Sequence, residues 1–156
     1  MKRMVAVLIV LMLATPALFA QETLREVVRE YQDNNSEFTF VIPSFMIKMG
    51  LAFGDMEEED REILEMLDDM KIIICQKGFQ KSDFASLDKG IKSGKFAEVM
   101  TVCDGNEKVR MVVNKKSEKK SEMLMLVESD DENVLMLFNF HGEDDYKKFL
   151  SLAKKN

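Results

Sequence analysis

The only histidine among the 156 residues is His141, and histidine is the side chain most suited to acid–base catalysis near neutral pH. Asp144 and Asp145 follow it closely enough to supply a carboxylate partner. The sequence nevertheless lacks the second histidine of a typical zinc enzyme, the Gly-x-Ser-x-Gly turn of many hydrolases and a glycine-rich phosphate loop. We therefore interpret His141 as a polar residue at a strand end and predict that the protein is not an enzyme. A hydrolase that uses His141 is the alternative.

Two other patterns contain atoms that bind metal ions, and both have a simpler interpretation. The acidic run from Asp55 to Asp60 offers oxygen ligands for calcium, but a calcium loop alternates its ligands and turns at a glycine, whereas these acids are nearly contiguous. Acids at a helix start favour its positive end, so the run predicts the start of a helix. Met123 and Met125 have a spacing that binds Cu(I), but beside Val127 they are typical of the core side of a strand. We predict no metal and no cofactor.

The cysteines and the one basic cluster leave alternatives open. Cys75 and Cys103 both lie in apolar strand-like runs, so they either form a disulfide or serve as two small buried side chains. The segment from Lys115 to Lys120 favours a solvated hairpin tip, with contact to anionic lipid headgroups as the alternative.

Residues 1–20 have the order of a secretory signal peptide. Two basic residues precede the uncharged run Met4–Leu13 and a stretch of small residues that ends at Ala20. The apolar run is shorter than the roughly 20 residues of a membrane span. Cleavage after Ala20 leaves residues 21–156 as one domain, and cleavage after Ala17 is the alternative. The formal net charge of the domain is −8 rather than −6, because both lost charges are basic. This charge argues against nucleic-acid binding, and we expect an exported protein with no membrane span after cleavage.

Hydrophobic periodicity predicts the elements that position these residues. Strands are predicted over 37–42, 71–75, 96–103, 107–114, 122–128 and 133–141, and helices over 23–31, 44–53, 55–70, 82–91 and from 143. The joints between the last four strands are too short for crossover helices, which favours antiparallel hairpins. The chain is therefore an α+β domain, in which an antiparallel or mixed sheet ends in a four-stranded meander with helices packed on it.

The last two strands are apolar on both faces. Side chains alternate across a strand, so antiparallel pairing through the short joint can bring four leucines onto one side of the sheet, and Met125 and Met136 would then face the other. The four leucines are Leu124, Leu126, Leu135 and Leu137. If helices cover only one side, the other needs further helices, a partner protein or a ligand. We predict these four leucines as the candidate interaction surface.

Several segments together resemble a family of small exported bacterial proteins known as domain of unknown function 4252. They are the signal peptide that ends before Gln21, the strand and helix start at Phe38–Met46, the helix–strand step at Leu67–Ile73, and the ending Val134–Gly142 followed by a lysine-ended helix. The family name implies no activity and no site residues. The resemblance does imply a Gram-negative envelope, hence the periplasm or the periphery of the outer membrane.

From these observations we expect a non-enzymatic envelope protein that acts as a binding or assembly module. Its partner is expected to be a protein, either a second copy or another envelope component. The alternative is a periplasmic carrier of a small apolar ligand or lipid, with the leucines lining a cavity.

Overall fold

The computed structural model describes residues 23–35, 38–117 and 120–154, so the predicted signal peptide (residues 1–20) lies outside the described residues. We number the elements along this part of the chain. The helices are α1 (Leu24–Asn34), α2 (Ser44–Phe53), α3 (Glu58–Glu65), α4 (Ala85–Lys92) and α5 (Asp145–Ala153), with a 3-10 helix at Lys81–Phe84. The strands are β1 (Phe38–Ile42), β2 (Leu67–Cys75), β3 (Ala97–Asp104), β4 (Glu107–Ser117), β5 (Lys120–Glu128) and β6 (Asn133–Phe140).

All six strands form one antiparallel sheet in the order β1-β2-β6-β5-β4-β3. The four strands after Phe96 pair with their chain neighbours, because their joints are short turns. This confirms the α+β class and the terminal meander. Strands β1 and β3 are the two edges, so the sheet ends on strands from opposite halves of the chain.

One face of the sheet is closed by α1, the 3-10 helix and α4. We call it the leucine face, because it carries the four leucines Leu124, Leu126, Leu135 and Leu137, which are 0–2% exposed. The apolar stripe of α1 packs on them, and Tyr31 stacks on Phe84 with ring centroids 5.4 Å apart. The prediction that these leucines form an interaction surface is therefore corrected: the domain's own helices supply their cover.

The opposite face is covered by α2, α3 and α5. We call it the methionine face, because six methionines point to it: Met70, Met100, Met111, Met123, Met125 and Met136. Phe149 of α5 packs against Phe138 and Phe140, with ring centroids 5.2 and 5.9 Å apart. These helices gather over the strand ends that carry Phe138 and Phe140, and the rest of the face lies farther from them.

Three further expectations can be compared with the structure. The helix predicted over 55–70 is wrong at its end, since α3 stops at Glu65 and β2 begins at Leu67. Both cysteines are free: Cys75 is buried on the leucine face, and Cys103 is exposed on the edge strand β3. No helix within the described residues is long and apolar enough to cross a membrane.

Candidate functional site

The methionine face consists of three rows of side chains that run across all six strands. Residues paired in register lie on the same side of a sheet, so the strand pairing fixes the membership of each row. The inner row is Ile42, Met70, Phe138, Met123, Val113 and Ala97. The methionine row is Phe40, Ile72, Met136, Met125, Met111 and Met100. The outer row is Phe38, Ile74, Val134, Val127, Val109 and Val102. Every position in the three rows is apolar.

Burial decreases from the inner row to the outer row. Phe138 and Met123 of the inner row are 5% and 0% exposed, because the three helices lie over them. In the methionine row only Met111 is buried, at 7%, and four of the other five are half-buried. No member of the outer row is buried, and its ends, Phe38 and Val102, are 67% and 48% exposed. The helices therefore close one end of this face and leave the methionine and outer rows partly open to solvent, except at Met111.

Helix α2 adds a second exposed apolar surface on the same side of the sheet. It follows β1 directly and packs on the methionine face through Ile47, which is 4% exposed. Its other side is also apolar and faces solvent: Phe45 is 62% exposed, Met46 44%, Met49 56% and Phe53 86%. Large apolar side chains in such number are normally buried, so this side of α2, which also carries the exposed Lys48, lacks a cover within the described part of the chain.

The exposed area is large for a small domain. With about 200 Å² for a fully exposed aromatic side chain, Phe38, Phe40 and the four exposed residues of α2 together present on the order of 700 Å². The largest apolar patch of a typical monomer is about 300–600 Å², and these six side chains, all on one side of the sheet, together expose an area of that order. We take the methionine row, the outer row and the outer side of α2 as the candidate functional site and call it the open apolar surface.

Acidic residues border this surface where the outer row ends. Asp104 and Glu107 pair in register two residues beyond Val102 and Val109, so they continue the same face of the sheet. The turn before β6 adds Asp130, Asp131 and Glu132 at that end, and all five acids are exposed. Among the described residues, none of these five carboxylates has an ion pair within 4.0 Å. The border therefore presents a net negative charge.

His141 lies at the opposite end of the sheet, beside a polar cleft that Asp68 and Lys120 help to line. A register shift between Leu67 and Asp69 leaves Asp68 outside the regular pairing of β2. Its carboxylate lies 2.5 Å from Nδ1 of His141 and 3.4 Å from Nζ of Lys120. The side chain of His141 is half exposed, and its backbone N–H donates to the carbonyl of Met66. The predicted partners of His141, Asp144 and Asp145, are engaged elsewhere: with Lys147 and with the N–H of Gly142, respectively.

The rest of the cleft is a network of paired polar groups. Its volume is about 370 Å³, and its lining includes Arg25, Asp69, Ser121 and Asn139. Arg25 lies 3.3 Å from Asp69, which also accepts a hydrogen bond of 2.6 Å from Asn139. The hydroxyl of Ser121 donates to the carbonyl of Gly142 at 2.8 Å. These groups satisfy one another across β2, β5 and β6, as expected for a contact that closes a sheet end.

Glu122 is the one charged side chain that is buried among the described residues. It is 0% exposed, and its Oε2 accepts hydrogen bonds from the backbone N–H of Leu24 at 3.1 Å and from Nδ2 of Asn114 at 3.3 Å. A carboxylate at the start of a helix is stabilised by the free N–H groups and by the helix dipole. Glu122 therefore fixes α1 to β5.

The remaining sequence candidates are distributed over the molecule rather than gathered. The acids at Asp55–Asp60 lead into and begin α3, as predicted for a helix start. Met123 is buried and Met125 half-buried on the methionine face, as predicted for core residues. Lys115 pairs with Glu143 at 2.9 Å, and this hydrogen bond raises the pKa of Lys115.

Sequence reasoning missed the open apolar surface. Its signals were present as Phe38 and Phe40 in β1, and as a helix α2 with apolar residues on both sides. Neither signal says which face of the sheet the remaining helices will leave open.

The chain belongs to a known family. A family model described as Domain of unknown function (DUF4252) matches residues 31–152, which is more than half of the chain and confirms the resemblance. No curated protein matches the chain, and neither does any solved structure.

Proposed function

We propose that this member of the DUF4252 family is an exported envelope protein that acts, without catalysis, as a binding or assembly module through its open apolar surface. The observation that carries the proposal is the burial gradient on the methionine face, where only Met111 among the twelve apolar side chains of the methionine and outer rows is buried, and where α2 exposes further apolar side chains. A monomer gains nothing from such a surface, and exposure of this size favours aggregation unless a partner covers it.

The carrier of an apolar ligand or lipid is the second candidate. The leucines proposed to line its cavity pack directly against α1 and α4, so a carrier would have to hold its ligand on the methionine face instead. Methionine side chains are flexible and adapt to differently shaped apolar partners, which suits either candidate.

Substitutions on the open apolar surface, compared with one on the opposite side of β1, test the binding module. Phe40→Thr combined with Phe53→Gln removes two exposed rings from the open apolar surface, at positions 47% and 86% exposed. Val41→Thr is the matched control, because Val41 is also 47% exposed on β1 but pairs with Lys71 on the side of the leucine face. Both proteins should fold, since surface substitutions change stability by about 0.5 kcal/mol.

The readout is chemical cross-linking in envelope extracts, together with light scattering of the purified protein. We expect one cross-linked species with the parent protein and with Val41→Thr, and its loss in the double variant. Bound lipid on a monomeric protein, lost in the double variant, would favour the carrier. The same cross-links in all three proteins, with no bound lipid lost in the double variant, would contradict both candidates.

His141 provides a separate test of the enzyme alternative. Its side chain is half exposed, so His141→Gln should cost at most about 1 kcal/mol for the loss of one exposed polar contact. Loss of any hydrolytic activity without loss of folding would support the enzyme alternative.

A further inference from the structure

We propose that the occupant of the open apolar surface is an amphipathic α-helix of another protein with lysine or arginine residues flanking its apolar stripe. This inference rests on the proposed function and names the chemistry of the partner. Three properties of the surface lead to it: the absence of backbone hydrogen-bonding groups on a sheet face, the width of the rows, and the charge of the border.

The sheet face requires an occupant whose backbone is already satisfied. The N–H and C=O groups of β2, β6, β5 and β4 pair within the sheet, so the methionine face offers apolar side chains alone. A buried backbone group without a partner costs free energy. An extended segment laid on this face would bury unpaired backbone groups, whereas a helix satisfies its own.

The dimensions of the surface fit a helix of about four turns. Six strands at about 4.8 Å spacing make each row about 24 Å long, which equals the length of about 16 helical residues. The methionine and outer rows lie two residues apart along the strands, about 7 Å. Together they are wide enough for the apolar stripe of one helix, and the half-buried Met125 and Met136 at their centre can adapt to its side chains.

Charge determines which helix fits. Five exposed acids border the outer row at the β3–β4 turn and the turn before β6, and Lys77 is the cation that follows β2 at the same end. Lys108, which pairs in register with Glu128, points to the leucine face. The border therefore attracts a basic flank. It opposes an anionic lipid surface, and it also opposes a second copy of this chain, which would bring an identical acidic border and further negative charge.

Two synthetic peptides test the inference. Both have 16 residues, with leucines at the spacing i, i+3, i+4 and i+7 that forms an apolar stripe along a helix. The remaining positions are lysine in one peptide and glutamate in the other. Binding of each fluorescein-labelled peptide to the purified protein is followed by anisotropy. We expect the lysine peptide to bind at least tenfold more tightly than the glutamate peptide, and the double variant Phe40→Thr/Phe53→Gln to weaken it at least tenfold.

Charge reversal distinguishes attraction of the lysine peptide by the acidic border from its attraction by the overall negative charge of the protein. Glu107→Lys combined with Glu132→Lys should lower the preference for the lysine peptide at least fivefold. The matched control is Glu30→Lys with Asp33→Lys, two exposed acids of α1 on the leucine side, with the same change in charge. An equal loss in both double variants would overturn the inference, because the attraction would then not belong to the border.

The remaining outcomes distinguish the inference from the proposed function. If both peptides bind equally and Phe40→Thr/Phe53→Gln abolishes both, the basic helix is wrong and the binding surface stands. If neither peptide binds while the protein forms a concentration-dependent dimer that this variant dissociates, the occupant is a second copy. If neither peptide binds and the protein is a monomer that the variant leaves unchanged, both proposals fail.

Discussion

The clearest test of the two-faced sheet compares neighbouring residues of β5 that point to opposite sides. Leu124 is 0% exposed in the cluster beneath α1 and α4, whereas Met125 is half-buried in the methionine row. Leu124→Ala removes buried apolar volume and leaves a cavity that the surrounding side chains fill only in part. The expected loss in the free energy of unfolding is about 3–4 kcal/mol. The space left by Met125→Ala is open to solvent, so no closed cavity forms. The expected loss in the free energy of unfolding is about 1 kcal/mol.

Urea unfolding followed by far-UV circular dichroism measures the difference. For a domain of this size a urea m-value of about 2 kcal/mol per M places the midpoint of Leu124→Ala about 1.5–2 M below the parent, and that of Met125→Ala about 0.5 M below. Leu124→Asp combined with Leu135→Asp should not fold, because two charges would be buried without partners. Equal midpoints for the two alanine variants would refute the assignment of a closed and an open face. A double aspartate variant that stays folded would show that a partner, not α1 and α4, covers the leucines.

Three further predictions concern the periphery of the leucine face. Gly90→Ala should lower the melting temperature by several degrees, because a Cβ would lie 2.3 Å from the ring of Phe96, which is 2% exposed. Cys103 is exposed and the other cysteine is buried, so an aromatic disulfide reagent should titrate one thiol in the folded protein and two in denaturant. Hydrogen bonds, first from Thr101, lower the pKa of Glu98 below its usual 4.5. The lowered pKa stabilises the folded state at pH values above 4.5, and this stabilisation is lost as the pH falls and the carboxylate of Glu98 is protonated. The difference in unfolding free energy between the parent and Glu98→Gln should therefore shrink from pH 7 to pH 3.

Most of the sheet was predictable because its strands either alternate apolar and polar residues or are apolar on both faces, and because clear turns separate them. The leucine pairing is an example: the short joint before β6 places Leu124 opposite Leu137 and Leu126 opposite Leu135. The residue at which β2 begins was not predictable. Leu67 and Met70 continue the helical spacing of α3, but Met70 pairs with both Ile42 and Phe138, and strand pairing on both sides overrides local helical preference.

The choice of the open face could not be read from the sequence. Both faces of β5 and β6 are apolar, so the pattern predicts that each face of the sheet is covered. It does not predict which helices cover which face. Helix α1 goes to the leucine face because Glu122, which lies on that side with Leu124, binds the first N–H of the helix. A contact between residues 98 positions apart is visible only after folding.

That same contact sets the order in which the chain can reach its final shape. Leu24 leaves the ribosome early, while Glu122 is added 98 residues later. At about 5–20 residues per second, the first helix waits roughly 5–20 s for the strand that anchors it. Until then its apolar stripe has neither Leu124 nor Leu135 to pack on. The leucine face therefore cannot close until most of the last third of the chain has been made, and during that time the apolar stripe of the first helix is available to a chaperone.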